Sequence, residues 1–348
     1  MEESSLLAGL LLVILGGVME GAYALPLKHT PRWDWEHIWG AGSLTALVLV
    51  PWPLAFLTVP DLMEVLGNSS VKSLLSALLF GAGWGAGGIF FGLGVAALGL
   101  SLGLSLILGL VAIGGSIVPL MMTHPEQLSR PAGVVLIAGI VVMILGLAAC
   151  AWAGQLKEKA LKRPQAEGGN RSSHRFSFKV GLIFCIASGL LSALVNFGLI
   201  FGGSIAEVAV QQGATRANAI NAIWAIVFTS NYIVNVCYCA YLVKRNGNLH
   251  NLLHGGSVLY WAAALFMGVF WAGGIVVYGI GATRMGQFGA YVGYPVMLIS
   301  SILTGNGLGI LGGEWTGVSL KPKGLMTLGV VLLTFAIAIL GYSSRLMS

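Results

Sequence analysis

Charged side chains are scarce in this chain, at 9% of its 348 residues, against 57% hydrophobic residues and 51 glycines. A soluble domain cannot cover its surface with so few charges, so the composition points to a polytopic membrane protein. Groups suited to catalysis are rarer still. Both aspartates (Asp34, Asp61) and all six histidines (His29, His37, His124, His174, His250, His254) fall in or beside polar connections. No aspartate pair, Ser-His arrangement or HExxH spacing lies within an apolar stretch, so a membrane protease, acyltransferase or metalloenzyme has no machinery here. An enzyme is therefore not expected, nor is a metal or a cofactor. Cys150, Cys185, Cys237 and Cys239 sit in apolar segments without zinc or redox spacing and read as small packing residues.

Long apolar runs are what the chain does have. Stretches of about 20 residues place helices near 6–26, 38–58, 73–97, 102–122, 132–152, 179–201, 218–242, 257–281, 287–311 and 324–343. The expected fold is all-α, with ten transmembrane helices. The first stretch follows Met1-Glu2-Glu3-Ser4-Ser5 without a basic flank or a cleavage site, so it is expected to stay as a helix rather than be removed as a signal peptide. Basic residues crowd the connections on one side: Lys28, Arg32, Lys157, Lys159, Lys162, Arg163, Arg171, Arg175, Lys179, Lys244, Arg245, Lys321 and Lys323. The other side holds only Lys72, Arg130, Arg216, Arg284 and Arg345. The positive-inside rule then puts the 153–178 connection in the cytoplasm and both termini outside. The net charge of +6 is thus a topology signal and gives no reason to expect nucleic acid as a partner.

The chain also repeats itself. Ala86-Gly-Gly-Ile89 recurs as Ala272-Gly-Gly-Ile275, each just after a tryptophan (Trp84, Trp271) and each in the third apolar segment of its half. The second unit has five segments like the first. Because five is odd, it must cross the bilayer in the opposite sense, which makes an inverted repeat with a cavity between halves, the architecture of a secondary transporter. The expected divisions are 1–152 and 179–348 as the two five-helix repeats, with 153–178 as a basic cytoplasmic linker that can also meet anionic lipid headgroups. Gly81 with Gly85, Gly88 with Gly92, and Gly99 with Gly103 are small-xxx-small pairs that let helix backbones approach closely. The fifth and tenth segments lack comparable polar groups and read as buttresses facing lipid or a second copy in a homodimer.

Polar and aromatic residues fall on single helix faces. Asn221, Trp224, Phe228, Asn231 and Asn235 follow a spacing of three, four, three, four. Gln287, Tyr291 and Tyr294 form a second stripe, and Ser188, Ser192 and Asn196 a third. Trp84 with Phe91, and Trp271 with Tyr278, complete the set at a spacing of seven. Amides and hydroxyls beside flat rings suit a sugar, whose hydroxyls need donors and acceptors while its C–H faces stack; hydrogen bonds that merely join helices are the plain alternative. Glu20 stands alone as an acid placed inside a segment, with Tyr23 on its face. An unpaired carboxylate at that depth costs several kcal/mol, so the group is expected to be protonated much of the time or paired, as coupling carboxylates are. A side chain that simply reaches an aqueous vestibule is the other reading. Glu207 and Arg216 flank the connection between the sixth and seventh segments and could pair in a lid.

Several stretches together resemble one family: YALPLK followed by Trp33-Asp34-Trp35-Glu36, Pro51-Trp52, GWGAGGIFFGL running into LGLSLGLSL, AGQLKEK, and, more loosely, GLLSA and Glu314-Trp315. The pattern is similar to that of the L-rhamnose-proton symporters, within the drug/metabolite transporter superfamily. The resemblance implies ten helices in an inner membrane, alternating access, and sugar uptake driven by a proton. It also exposes departures. The family pattern has an aspartate just before the tyrosine matched by Tyr291, where this chain has Ala290, and no acid at the position of Glu20. The expected reading is proton-coupled symport of L-rhamnose or a related monosaccharide, with the proton on Glu20. The substrate site would be formed by Tyr23, Trp84, Phe91, Ser192, Asn196, Asn221, Trp224, Asn231, Trp271, Tyr278, Gln287, Tyr291 and Tyr294. Two alternatives stay open: an exporter of amines, amino acids or another metabolite on the same fold, and a non-transporting membrane sensor or assembly factor.

Overall fold

The computed structural model describes residues 3–23, 25, 30, 32–98, 100–161, 177–254, 258–286, 289–313 and 315–347. All regular structure among the described residues is helical, and ten helices are long and apolar enough to cross a membrane. The protein is a multi-pass membrane protein. In chain order the spanning elements are α1 (Glu3–Ala22), α2 (Trp35–Thr58), α3 (Val71–Leu98), α4, α5 (Pro131–Leu161), α6 (Phe178–Gln211), α7 (Arg216–Asn246), α8 (Val258–Arg284), α9 (Gly289–Leu311) and α10 (Leu320–Met347). Helix α4 joins Leu100–Ala112, a π-helical turn at Ile113–Ile117, and Val118–Thr123. A second π-helical turn, Thr45–Leu49, lies within α2. Each turn is soon followed by a proline, Pro119 or Pro51, whose missing N–H breaks the regular i→i−4 ladder.

With lipid outside, helices associate only where their surfaces fit closely, and glycine permits this. Gly9 and Gly16 of α1 lie against Gly281 and Gly274 of α8, while Gly17 and Gly21 lie against Met297 and Ser301 of α9. In the other half, Gly87 and Gly94 of α3 seat Ser192 and Cys185 of α6. Gly81 and Gly85 seat Val227 and Asn231 of α7, as the small-residue spacing predicts, whereas Gly88 and Gly92 face open space. The main pairings are α1 on α8 and α9, α6 on α3 and α4, α2 on α7 and α8, α7 on α2 and α3, and α5 on α10. Exchanging each helix for the one five places later leaves this set unchanged. The exposed faces of α5 (Val134, Ile137, Val141, Leu145) and α10 (Leu328, Val331, Phe335) are apolar, and their buried faces pack together. Cys150, Cys185 and Cys239 are buried free thiols, and Cys237 is exposed.

Three sequence expectations are corrected. Helix α2 starts at Trp35, earlier than its apolar run, and so takes Glu36 and His37 into a buried helical turn; Glu20 is not the one acid within a helix. Glu36 is tolerated there because its Oε1 accepts from Asn246 and Asn248, and His37 Nδ1 accepts from the Asp34 backbone N–H. Helix α5 continues through Leu161, so 153–161 is helical rather than linker; amphipathic side chains extend a helix past its apolar run by keeping their heads outside lipid. Residues 162–176 lie outside the described residues. Glu207 and Arg216 are both exposed, and no ion pair joins them among the described residues.

Candidate functional site

A cavity of about 690 Å³ opens between the two halves. Its lining comes from the start of α2 (Trp39, Ser43), the end of α5 (Gly154, Lys157), the later turns of α9 (Ser301, Asn306), and Trp315 beyond it. All of these lie toward the side on which α5 and α6 connect. The cavity thus runs from mid-bundle to that side.

Most of the candidate residues converge on it. Glu20, Tyr23, Trp84, Phe91, Ser192, Asn196, Trp224, Asn231, Trp271, Tyr278 and Tyr294 all line the cavity. Two do not. Asn221 donates from Nδ2 to Thr58 Oγ1 at 2.9 Å, and the Tyr291 and Thr123 hydroxyls lie 3.0 Å apart. Both residues are buried at the opposite end of the bundle, where they tie α7 to α2 and α9 to α4. They share a helix face with lining residues, but the cavity spans only one half of the helix length, so the far end of that face meets a neighbouring helix. Gln287 lies outside the described residues.

The inner wall is aromatic. Trp84 and Trp271, from the two repeated Ala-Gly-Gly-Ile segments, stack at 5.4 Å between ring centres and 25° between planes. Phe228 sits 5.7 Å from Trp84 and 5.8 Å from Trp271, and Trp224 packs on Phe228 at 4.8 Å. Tyr278 and Tyr294 lie 5.9 Å apart, and the Tyr278 hydroxyl donates to the Ala290 carbonyl at 3.3 Å. The sequence was silent on this last bond, which uses the backbone of Ala290.

Polar groups punctuate this wall. Asn196 Nδ2 donates to the Gly115 carbonyl in the π-helical turn of α4. Trp39 Nε1 donates to Asn235 Oδ1 at 2.8 Å, and Asn235 Nδ2 donates to Asn231 Oδ1 at 2.6 Å. Glu20 is half-buried, and its Oε2 is enclosed without a hydrogen-bond partner among the described residues. Glu36, which is buried, is different: its Oε1 accepts from Asn246 at 2.7 Å and from Asn248 at 2.8 Å, which ties the start of α2 to the end of α7. One acid thus has two amide donors on its Oε1 and lies outside the cavity. The other is under-partnered and lines it.

Sequence reasoning missed several lining residues. Trp39, stacked on Trp35 at 5.3 Å, lay at the edge of a helix whose start was set too late. Lys157, whose ammonium sits 4.9 Å over the Trp315 ring, was assigned to a solvated linker. Asn306, flanked by Gly305 and Gly307 in an apolar segment, was a legible signal of the same kind as the other amides.

The chain matches the L-rhamnose-proton symport protein family over residues 1–345. It belongs to that family. Proteins named L-rhamnose-proton symporter from Yersinia pestis (strain Pestoides F) and Yersinia pseudotuberculosis serotype O:3 (strain YPIII) are each 28% identical to it over 349 residues, covering 97% of this chain and 98% of theirs. The L-rhamnose-proton symport family match therefore spans both halves, and with them both walls of the cavity.

Proposed function

We propose that this protein carries L-rhamnose or a closely related monosaccharide together with a proton across the inner membrane of a bacterium, by alternating access. The observation that carries the proposal is the cavity's composition: stacked Trp84 and Trp271, the amides Asn196, Asn231 and Asn235, and a single carboxyl, Glu20, among the described lining residues. Flat rings take the apolar face of a pyranose, and amides satisfy its hydroxyls. A neutral sugar brings no charge, so the carboxyl is free to carry the coupling proton. An enclosed Oε2 without a partner is the arrangement in which protonation supplies what burial withholds, since an ionised carboxylate at that depth costs several kcal/mol.

The set of helix pairings, unchanged by exchange of each helix with its counterpart, supports an inverted repeat whose halves rock about the cavity. The basic connections support a cytoplasmic 162–176 and external termini, with the cavity open to the cytoplasm. No cofactor beyond the proton is required. The apolar outer faces of α5 and α10 suit lipid, or a second copy in a homodimer.

The test is reconstitution in proteoliposomes with labelled L-rhamnose. Accumulation is expected only under an inward proton gradient, with related monosaccharides competing. Absence of any L-rhamnose flux in active liposomes would overturn the cargo, and flux indifferent to the gradient would overturn the coupling.

A further inference from the structure

We propose that Trp39 and Asn235 are positioning residues that fix the hydrogen-bonding polarity of the cavity, so that Asn231 meets the cargo as a donor and Asn196 meets it as an acceptor. The inference deepens, and rests on, the sugar reading above. An indole N–H can only donate and a backbone carbonyl can only accept. Trp39 Nε1 takes Asn235 Oδ1 at 2.8 Å, while Asn235 Nδ2 donates to the Asn231 carbonyl at 3.1 Å and to Asn231 Oδ1 at 2.6 Å. Turning the Asn235 amide over would set N–H against N–H and oxygen against oxygen at once. Its orientation is therefore determined, and with it that of Asn231, whose oxygen is occupied. Among the described residues Asn231 Nδ2 donates to no protein group, and Asn231 lines the cavity.

Asn196 is held the other way round. Its Nδ2 donates to the Gly115 carbonyl, which Pro119, four residues on, cannot use because proline has no N–H. Asn196 therefore keeps its Oδ1 for the cavity, which it also lines. Of the lining amides, the two whose orientation these bonds fix thus present one hydrogen donor from α7 and one acceptor from α6. A hydroxyl can both donate and accept, so this mixed pair fits an uncharged polyol. An ammonium would need acceptors throughout, and a carboxylate donors throughout.

The experiment compares monodeoxy and monofluoro L-rhamnoses, substituted at C2, C3 or C4, as competitors of labelled L-rhamnose uptake. Fluorine accepts weakly but cannot donate. At the hydroxyl facing Asn231, the fluoro sugar should retain most of its affinity while the deoxy sugar loses about five- to tenfold. At the hydroxyl facing Asn196, both should lose. Asn235→Asp offers Trp39 an acceptor but no donor to Asn231, so Asn231 should turn its Nδ2 inward and the fluoro tolerance should vanish. Trp39→Phe should raise KM about five- to tenfold with the maximal rate retained, a split that a merely structural loss would not produce. Fluoro and deoxy sugars falling together at every position, or an unchanged pattern in Asn235→Asp, would overturn the proposal. A readout free of cargo runs alongside: the nitrogen-15 indole resonance of Trp39, assigned by its loss in Trp39→Phe, should shift in Asn235→Ala. An unmoved resonance overturns the chain of bonds whatever the cargo. A shifted resonance in a protein that no L-rhamnose analogue inhibits retains that chain and removes the cargo reading instead.

Discussion

Replacing Glu20 by Gln keeps the shape of the side chain and a neutral polar head, and removes its ability to exchange a proton. With Glu20, the single carboxyl among the described residues lining the cavity, as the proposed proton carrier, the proposed stoichiometry is one proton per sugar. One charge moving through about 100 mV contributes about 2.3 kcal/mol, which corresponds to an accumulation ratio of about 50 at equilibrium. Each unit of inward pH gradient adds about another tenfold. Wild-type proteoliposomes under a potassium-diffusion potential of about 100 mV should therefore concentrate L-rhamnose toward that ratio. Glu20→Gln should bring the ratio to about one, while exchange of labelled for unlabelled sugar across the membrane continues, since a permanently neutral site mimics the loaded carrier. The assay is internal label at steady state, with counterflow measured on the same vesicles. Gradient-driven accumulation that survives in Glu20→Gln would refute the coupling assignment and the reasoning that an enclosed, unpartnered oxygen marks the proton site.

Other predictions test the frame around that site. Gly81→Ala would drive a methyl group into the Val227 carbonyl and the Ser230 hydroxyl, and should destabilise the protein by about 1–3 kcal/mol, read as a lower Tm in detergent. Gly88→Ala meets nothing within 4 Å and lines the cavity, so it should fold normally and raise KM instead. An equal loss of Tm in both variants would contradict the packing described. Asn248→Ala removes bonds to both Glu36 and Asp34, and should cost about 1–3 kcal/mol while leaving the proton dependence of uptake in place; a changed proton dependence would assign coupling to Glu36. A reporter inserted within 162–176 should be cytoplasmic, and labelling from outside intact cells would reverse the orientation.

Much of the architecture was legible from period and composition alone. Ten apolar runs gave ten spanning helices, and Trp84 and Trp271, matched by their position in a repeated motif, meet ring on ring. The helix-face stripes carried much of the cavity lining because buried amides are too costly to place idly in an apolar segment. Errors arose where a helix outran its hydrophobic run. Glu36 and His37 were set outside a helix they begin, and Lys157 outside one it nearly ends, because charge at a helix end is indistinguishable in sequence from charge in a connection. Asn221 and Tyr291 share their stripes with true lining residues, and helical period says nothing about how far along a face a cavity extends.

By itself the sequence determined the class, the number of crossings and which face of each helix holds polar groups, because these follow from transfer free energy and the 3.6-residue period, both local properties. Tertiary structure alone decided which of those groups are partnered and which are left open. Glu36 and Glu20 are the same residue type near the same side of the bundle, yet Glu36 is met by Asn246 at the end of α7 and Asn248 just beyond it, while among the described residues the Oε2 of Glu20 is met by nothing. That difference depends on contacts between residues some two hundred positions apart, brought together only when glycine surfaces allow the helices to close.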